Sequence, residues 1–399
     1  MADGLRKGMK PVAFEIREHG AFRVMTWRVD PNHDSLWAVH SGSDGRIYFS
    51  SCSEGRASSA HLLRYDPAEN RLWDLLDIGQ LADDPYDSGR VPQSKIHTCL
   101  RETSDGYLYG VSHCTAPNHG EKLFEVNGTF GDPVYGFRGS QMFRVRLATG
   151  EAEYAGLAVP YEGCRSMEIV ERLNKAFLVS YPRHCLYEYD LRTRESRLLG
   201  RIGTWGGFEI FVDSRERLYG SYDDGRFFRY DPARNAFEDL ALRAPGIPGR
   251  ERLYNFFFFA KKFRPDFVAA TGYYDGHIFR INPEARPEAA VEDYGFGEPE
   301  GWNGRDWTPP YIQAPVLYGD RWLFYGANTI WEPTRLVALD IVTRRREAVA
   351  VLSFDGNPTA WLSEGALGPD GETLYFAEVN MKAVPRLLLV DLRKLDWRR

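Results

Sequence analysis

RERLYGSYDDGRFFRYDPARN, residues 215–235, holds two short β-rich runs, LYGSY and FFRY, each closed by turn-forming residues. The second run and its turn return along the chain. They read LLRYDPAEN from Leu62, MFRVRLATGE from Met142, LYEYDLRTRE from Leu186 and FFRYDPARN from Phe227. Later copies are IFRINPEA from Ile278, LVALDIVTRR from Leu336 and LLLVDLRK from Leu387, making seven. The nearest copies lie about 40 residues apart, the length of a four-stranded propeller blade. The first run also recurs: DGRIYFSS from Asp44, DGYLYGVS from Asp105, NKAFLVSY from Asn174, GDRWLFYG from Gly319 and DGETLYFA from Asp370. Each unit therefore reads as strand, tight turn, strand, loop, strand, turn, strand. Amphipathic helical periodicity is nearly absent.

A lone four-stranded sheet cannot bury both faces and leaves two open edges. Seven packed radially bury the faces and keep only short edges. The expected fold is all-β, a seven-bladed β-propeller of four-stranded antiparallel blades, forming one domain over residues 1–399. The last copy runs out soon after Leu392, so an N-terminal strand, from residues 12–17 or 22–27, is expected to complete it and close the ring. A pair of β-sandwiches or an open array is the alternative for the same strand count.

Composition narrows the function. The 399 residues carry a formal net charge of −6 with no basic tract, which argues against nucleic acid as a partner. No apolar run is long enough to span a membrane. The N-terminus lacks the apolar core and cleavage site of a secretory signal, so a cytoplasmic location is expected. The five cysteines, Cys52, Cys99, Cys114, Cys164 and Cys185, are odd in number and show no C-x-x-C spacing, which fits reduced thiols. There is no G-x-x-x-x-G-K-[ST] loop, G-x-S-x-G elbow or H-E-x-x-H helix.

The chemical signal is KIHTCLRETSDGYLYGVSHC, residues 95–114. It reads as a hairpin turning at residues 104–106. His97 begins the first strand and His113 ends the second, so the hairpin brings two imidazoles to one rim. Imidazoles titrate near neutrality and suit proton transfer. Capping or packing is the bland role for each. Extending the register, Arg165 or Ser166 opens the equivalent strand of the next unit and Tyr181 closes its partner, followed by Arg183 and His184. Other units place Cys52, Tyr222, Asp223, Tyr254, Tyr273, Tyr274, Gln313, Asn328, Trp361, Glu364 and Asn380 on rims. Long connections at residues 81–94, 115–140 and 296–310 enter the same ends of the blades, where insertions usually carry function. Trp205, Trp302 and Trp307 offer flat faces for sugar rings, although packing is the commoner role of a tryptophan.

His97, His113, Arg165 and Tyr181 together have a chemical meaning. Removing the proton α to a carboxylate builds a second charge on the acid, which a guanidinium fork can take up. A histidine accepts the proton and a tyrosine hydroxyl protonates the leaving oxygen. That is β-elimination at a uronic acid.

The pair KIHT and YGVSH, followed by a unit with Arg and Tyr at its rim, resembles the seven-bladed propeller polysaccharide lyases, the ulvan lyase and rhamnose–glucuronate lyase type. The specific likeness spans residues 95–184. In those families Tyr opens the next unit and Arg closes its second strand; here the order is exchanged, and Tyr161 or Arg183 are alternative occupants. The resemblance implies that Arg165, with one histidine, neutralises the carboxylate. It also implies that His97 or His113 removes the C5 proton and that Tyr181 acts as acid or shares the base role. Arg183, Tyr222, Tyr273, Trp302, Arg305 and Trp307 are the expected substrate-binding set, and an acidic oligosaccharide or polysaccharide the expected partner. The chemistry requires no cofactor; some relatives carry a structural divalent metal, but no ligand set carries over. The rivals are a non-catalytic sugar- or protein-binding propeller and a metal-dependent lactonase-type hydrolase. For the hydrolase, Glu364, Asn380, Glu209 and Asn255 are scattered candidate ligands.

Overall fold

The computed structural model describes residues 9–54, 58–114, 130, 132–204, 206–246, 255–273, 276–298, 311–328, 333–380 and 384–397. These residues form seven antiparallel sheets of four or five strands, arranged as the blades of a β-propeller, with almost no helix. All seven repeat copies are third strands of their sheets: His61–Asp66, Gly139–Arg146, Cys185–Asp190, Arg226–Asp231, His277–Ile281, Arg335–Asp340 and Arg386–Asp391. The repeated aspartate has a mechanical cause. The carboxylate of Asp66 accepts from the backbone N–H of Ala68 and Glu69, and Asp190, Asp231 and Asp340 do the same two and three residues on. Each aspartate thereby closes the turn into the fourth strand. The recurrent Tyr-Gly of the second strand makes room. A Cβ at Gly110 would meet the Phe143 ring at 2.2 Å, and one at Gly220 would meet Phe228 at 2.4 Å, both on the paired third strand.

Three sheets exceed the expected four strands. Phe22–Trp27 pairs with Arg386–Asp391, so an N-terminal strand does complete the seventh sheet, and Phe14–His19 adds a fifth. Lys10–Val12 extends the first sheet on Arg71–Asp77. In the second sheet the first strand is split into Lys95–Ile96 and Arg101–Glu102.

The chain falls into two compact units. Unit 1 comprises Met1–Pro182, Tyr187–Leu198 and Ser363–Lys394, and unit 2 comprises Arg183–Leu186, Leu199–Leu362 and Leu395–Arg399. Within unit 1, Tyr48, Leu62, Leu108 and Phe143 fill the space between the first and second sheets, and Trp27, Phe49, Leu63 and Leu387 that between the seventh and first. Within unit 2, Phe211, Phe227, Phe257 and Phe279 lie between the fourth and fifth sheets, and Tyr294, Leu323 and Tyr325 continue between the fifth and sixth. Among the described residues no helix is long and apolar enough to cross a membrane.

Candidate active site

Two ladder irregularities in unit 1 build the site. The first is the split strand. Lys95 pairs with His113 and Ile96 with Ser112, then residues 97–100 leave the ladder before Arg101 rejoins opposite Tyr109. The sequence reading has His97 opening a continuous strand; instead it lies in the gap, where its side chain is released from the sheet's alternation. The hairpin turn itself is where the spacing puts it. Thr103 N–H donates to Tyr107 O at 2.9 Å, and Gly106 adopts φ +81°. The second irregularity is a bulge in Gly163–Val170: Cys164 faces Ser180 and Ser166 faces Val179, so Arg165 is the extra residue. A bulge frees backbone groups from the ladder and re-aims a side chain. The freed carbonyl of Arg165 accepts from His97 Nδ1 at 3.1 Å and from Thr98 Oγ1 at 3.0 Å.

The four side chains converge. The rings of His97 and His113 are 5.3 Å apart between centroids at 67°. His113 and Tyr181 are 5.7 Å apart at 60°. The Arg165 guanidinium carbon sits 5.0 Å from the centre of the Tyr181 ring. Gly163 pairs directly with Tyr181 and lets the His113 ring lie against the backbone; a Cβ there would be 2.3 Å from His113 Nδ1.

A carbonyl only accepts, so neutral His97 must carry its proton on Nδ1, leaving the Nε2 lone pair as its basic position. Both ring nitrogens of His113 are buried with no hydrogen-bond partner among the described residues. Burial, then the charges of Arg165 and Lys95, hold the His97 pKa well below the usual imidazole value. Burial, then His97, Arg165 and Lys95, do the same to His113. Both rings are therefore uncharged at neutral pH, beside a permanent cation.

Three neighbours escaped the sequence reading. Trp37 stacks on His97 with centroids 4.5 Å apart and planes 20° from parallel. Lys95, only 2% exposed at its side chain, pairs with Glu54 at 2.5 Å and lies 5.1 Å from the centre of the Trp37 ring. For Lys95 the signal was present, since it stands two residues before His97. Trp37 and Glu54 come from the first unit of the repeat, whose expected rim residue, Cys52, is a buried thiol that donates to Ser35 O.

Arg183, Tyr222 and Tyr273 belong to unit 2. The Arg183 carbonyl accepts from Arg201 Nε at 3.1 Å, Tyr222 lies under the Arg226 guanidinium at 5.3 Å, and Tyr273 stacks on Phe256 at 4.7 Å. Gln313 accepts from the Trp361 indole N–H. Trp302, Arg305 and Trp307, with Trp205, Tyr254 and Tyr274, lie outside the described residues. Of the candidate metal ligands, Glu364 accepts from Val39 N–H at 3.1 Å and Asn255 Nδ2 donates to Pro245 O at 2.6 Å. Among the described residues no group of three or more His, Cys, Asp or Glu is arranged to hold a metal ion.

No protein-family model matches the chain, and no curated protein does. Solved structures do. A streptogramin B lyase superposes with a TM-score of 0.60 at 11% identity, over 93% of this chain and 97% of that one. Virginiamycin B lyase from Staphylococcus aureus gives 0.58 at 12%, over 95% and 100%. An oligogalacturonate lyase in complex with manganese gives 0.56 at 11%, over 96% and 97%. A chain of the mitotic checkpoint complex gives 0.56 at 10%, over 96% and 94%. At such identities the likeness carries the seven-bladed propeller fold, which these proteins put to unlike uses.

Proposed function

We propose that this chain is a lyase that cleaves an acidic saccharide by β-elimination at a uronic acid, of the kind carried out by ulvan and rhamnose–glucuronate lyases. The observation that carries the reading is the meeting of two uncharged imidazoles with Arg165 and Tyr181 around one point. The substrate carboxylate docks on the Arg165 guanidinium. Its negative charge offsets the Arg165 and Lys95 charges, which add to burial in holding the imidazoles deprotonated, so their basicity rises when substrate is bound. His97 Nε2 or His113 then takes the C5 proton. The electron pair moves toward the carboxylate, where Arg165 stabilises the developing charge, and the C4–O bond breaks as Tyr181 protonates the leaving oxygen. The product carries a C4–C5 double bond. Two of the propellers similar in fold are named for a lyase acting on a streptogramin and one acting on oligogalacturonate.

The full burial of both imidazoles favours a second reading, a propeller that only binds, because a packed histidine needs no substrate. The test is a panel of uronic-acid glycosides followed by ultraviolet absorbance of the unsaturated product, with calorimetry alongside. Turnover lost in His97→Gln supports the lyase. Calorimetric binding with no absorbance from any glycoside leaves the binding propeller.

A further inference from the structure

The ion pair of buried Lys95 with partly buried Glu54 is not used by the elimination itself. A buried ion pair contributes little net stability compared with apolar residues of the same volume, so packing alone does not account for it. Its surroundings are specific. Glu54 Oε2 receives both the Lys95 ammonium at 2.5 Å and the Trp37 indole N–H at 2.8 Å. The Glu54 backbone N–H donates to Asp34 Oδ1 at 2.9 Å, and that carboxylate also takes the Ser35 hydroxyl at 2.8 Å. The Trp37 backbone N–H is held by Ser50 Oγ at 3.0 Å. The indole thus has little freedom, and its face is what His97 stacks on. Across the ladder Lys95 is the direct partner of His113.

We propose that Trp37, Lys95 and Glu54 are positioning residues: the indole fixes the plane of the His97 ring, and the ion pair sets the local field in which that ring gains and loses its proton. The role rests on the elimination reading for its purpose but not for its test. Among the described residues, the charged and titratable groups around His97 include Lys95 on its own segment, His113 on the paired strand, Arg165 and Tyr181 on the neighbouring sheet, and Glu54 with Asp34 on the segment bearing Trp37. Among the described residues, Lys95 and Glu54 form a pair whose two charges can be removed separately, with opposite effects expected on the imidazole.

The experiment is nitrogen-15 NMR of the histidine side chains in the full chain, with His97→Gln assigning the signal. In the native protein His97 is expected as the Nδ1–H tautomer, uncharged from pH 6 to 8. Lys95→Met removes a cation and bares a carboxylate, so the His97 midpoint rises by about one pH unit or more, the size of a nearby-charge effect. Glu54→Gln leaves the ring uncharged over the whole range, and Lys95→Arg restores native behaviour. Trp37→Ala mixes the tautomers. Should Lys95→Met not fold, Lys95→Met with Glu54→Gln removes the pair as a neutral unit and gives a smaller rise. An unmoved His97 signal in Lys95→Met, or in the double variant if only that folds, overturns the proposal, as do shifts of one direction in Lys95→Met and Glu54→Gln. Absence of turnover on every uronate would overturn the lyase reading and leave these shifts standing.

Discussion

A methyl group at position 163 would have to sit 2.3 Å from Nδ1 and 2.6 Å from Cε1 of His113, closer than van der Waals contact allows. His113 is fully buried and has nowhere to yield without displacing Tyr181 or His97. Gly163→Ala is therefore expected to cost about 1–3 kcal/mol through overpacking, read from denaturant melts, and to lower turnover of a uronate at least tenfold. A variant with native stability would remove the claim that the ring rests on the backbone there. Tyr181→Phe separates chemistry from packing at the same spot. It keeps the ring beside Arg165, so stability should change by less than about 1 kcal/mol, while loss of an acid catalyst costs roughly 10²–10⁴ in rate. At this scale the sequence was informative where chemistry marks a residue. His97, His113, Arg165 and Tyr181 are the types that a proton-transfer site needs, and the repeat register placed them. It was silent on Gly163, because a glycine kept for close approach reads like any other. Trp37 and Glu54 were hidden among ordinary rim residues, because their role appears only once two sheets are packed.

At the scale of the element, the candidate site depends on interruptions in otherwise regular strands. The gap at residues 97–100 and the bulge at Arg165 face each other, and further contacts besides the His97 and Thr98 bonds to the Arg165 carbonyl span them. Arg101 places Nε 3.0 Å and Nη2 2.9 Å from Glu168 Oε1, a fork from the resumed strand to the bulged one. The thiols of Cys99 and Cys164 lie 3.8 Å apart beside it. Arg101→Met leaves Glu168, about four-fifths buried, without its cation. The expected loss is about 1–2 kcal/mol, more than an exposed pair would give, together with a weaker Michaelis complex as the two strands separate. Urea melts and the Michaelis constant measured on the same variant check both parts, and an effect on neither would show the fork to be incidental. The regular elements were legible because each repeat carries its own turn chemistry, with Asp66, Asp190, Asp231 and Asp340 accepting the same two N–H groups. The interruptions were not, since residues 97–100 have the same β-forming character as their flanks. What ends the ladder is the competing bond to a carbonyl of another sheet.

For the molecule as a whole, buried histidines set the response to pH. Burial and the neighbouring His61 lower the His33 pKa to about 4, while the ring is held by Ser51 Oγ and the Ser59 carbonyl, each at 2.8 Å. His97 and His113 are depressed as well. For these three the unfolded chain takes up a proton near 6.5 and the folded one does not. Stability is therefore fully present above that value and falls as the pH drops toward 4, by up to about 1.4 kcal/mol per unit for each ring. His61 works the other way. Burial opposes its charge, but the hydrogen bond that His61 Nδ1 donates to Asp74 at 3.0 Å and the charges of Asp74 and Asp77 outweigh it and raise its pKa. Its contribution is complete below 6.5 and is lost as the pH rises through the folded value. The two trends cross, so maximal stability is expected near pH 6.5, with a steep acid limb of three histidines and a shallow alkaline limb of one. The placement of these rings was beyond the sequence, because nothing in HLLRYD or in NHDS, residues 32–35, says which imidazole will meet a carboxylate and which a carbonyl. Urea denaturation at intervals from pH 5 to 8 measures both limbs. His33→Gln should flatten the acid limb and His61→Gln should abolish the alkaline limb, each also shifting the neighbouring ring because the two lie 5.4 Å apart and His61 helps to lower His33, and a profile unchanged in both variants would mean that these rings titrate alike in the folded and unfolded chain.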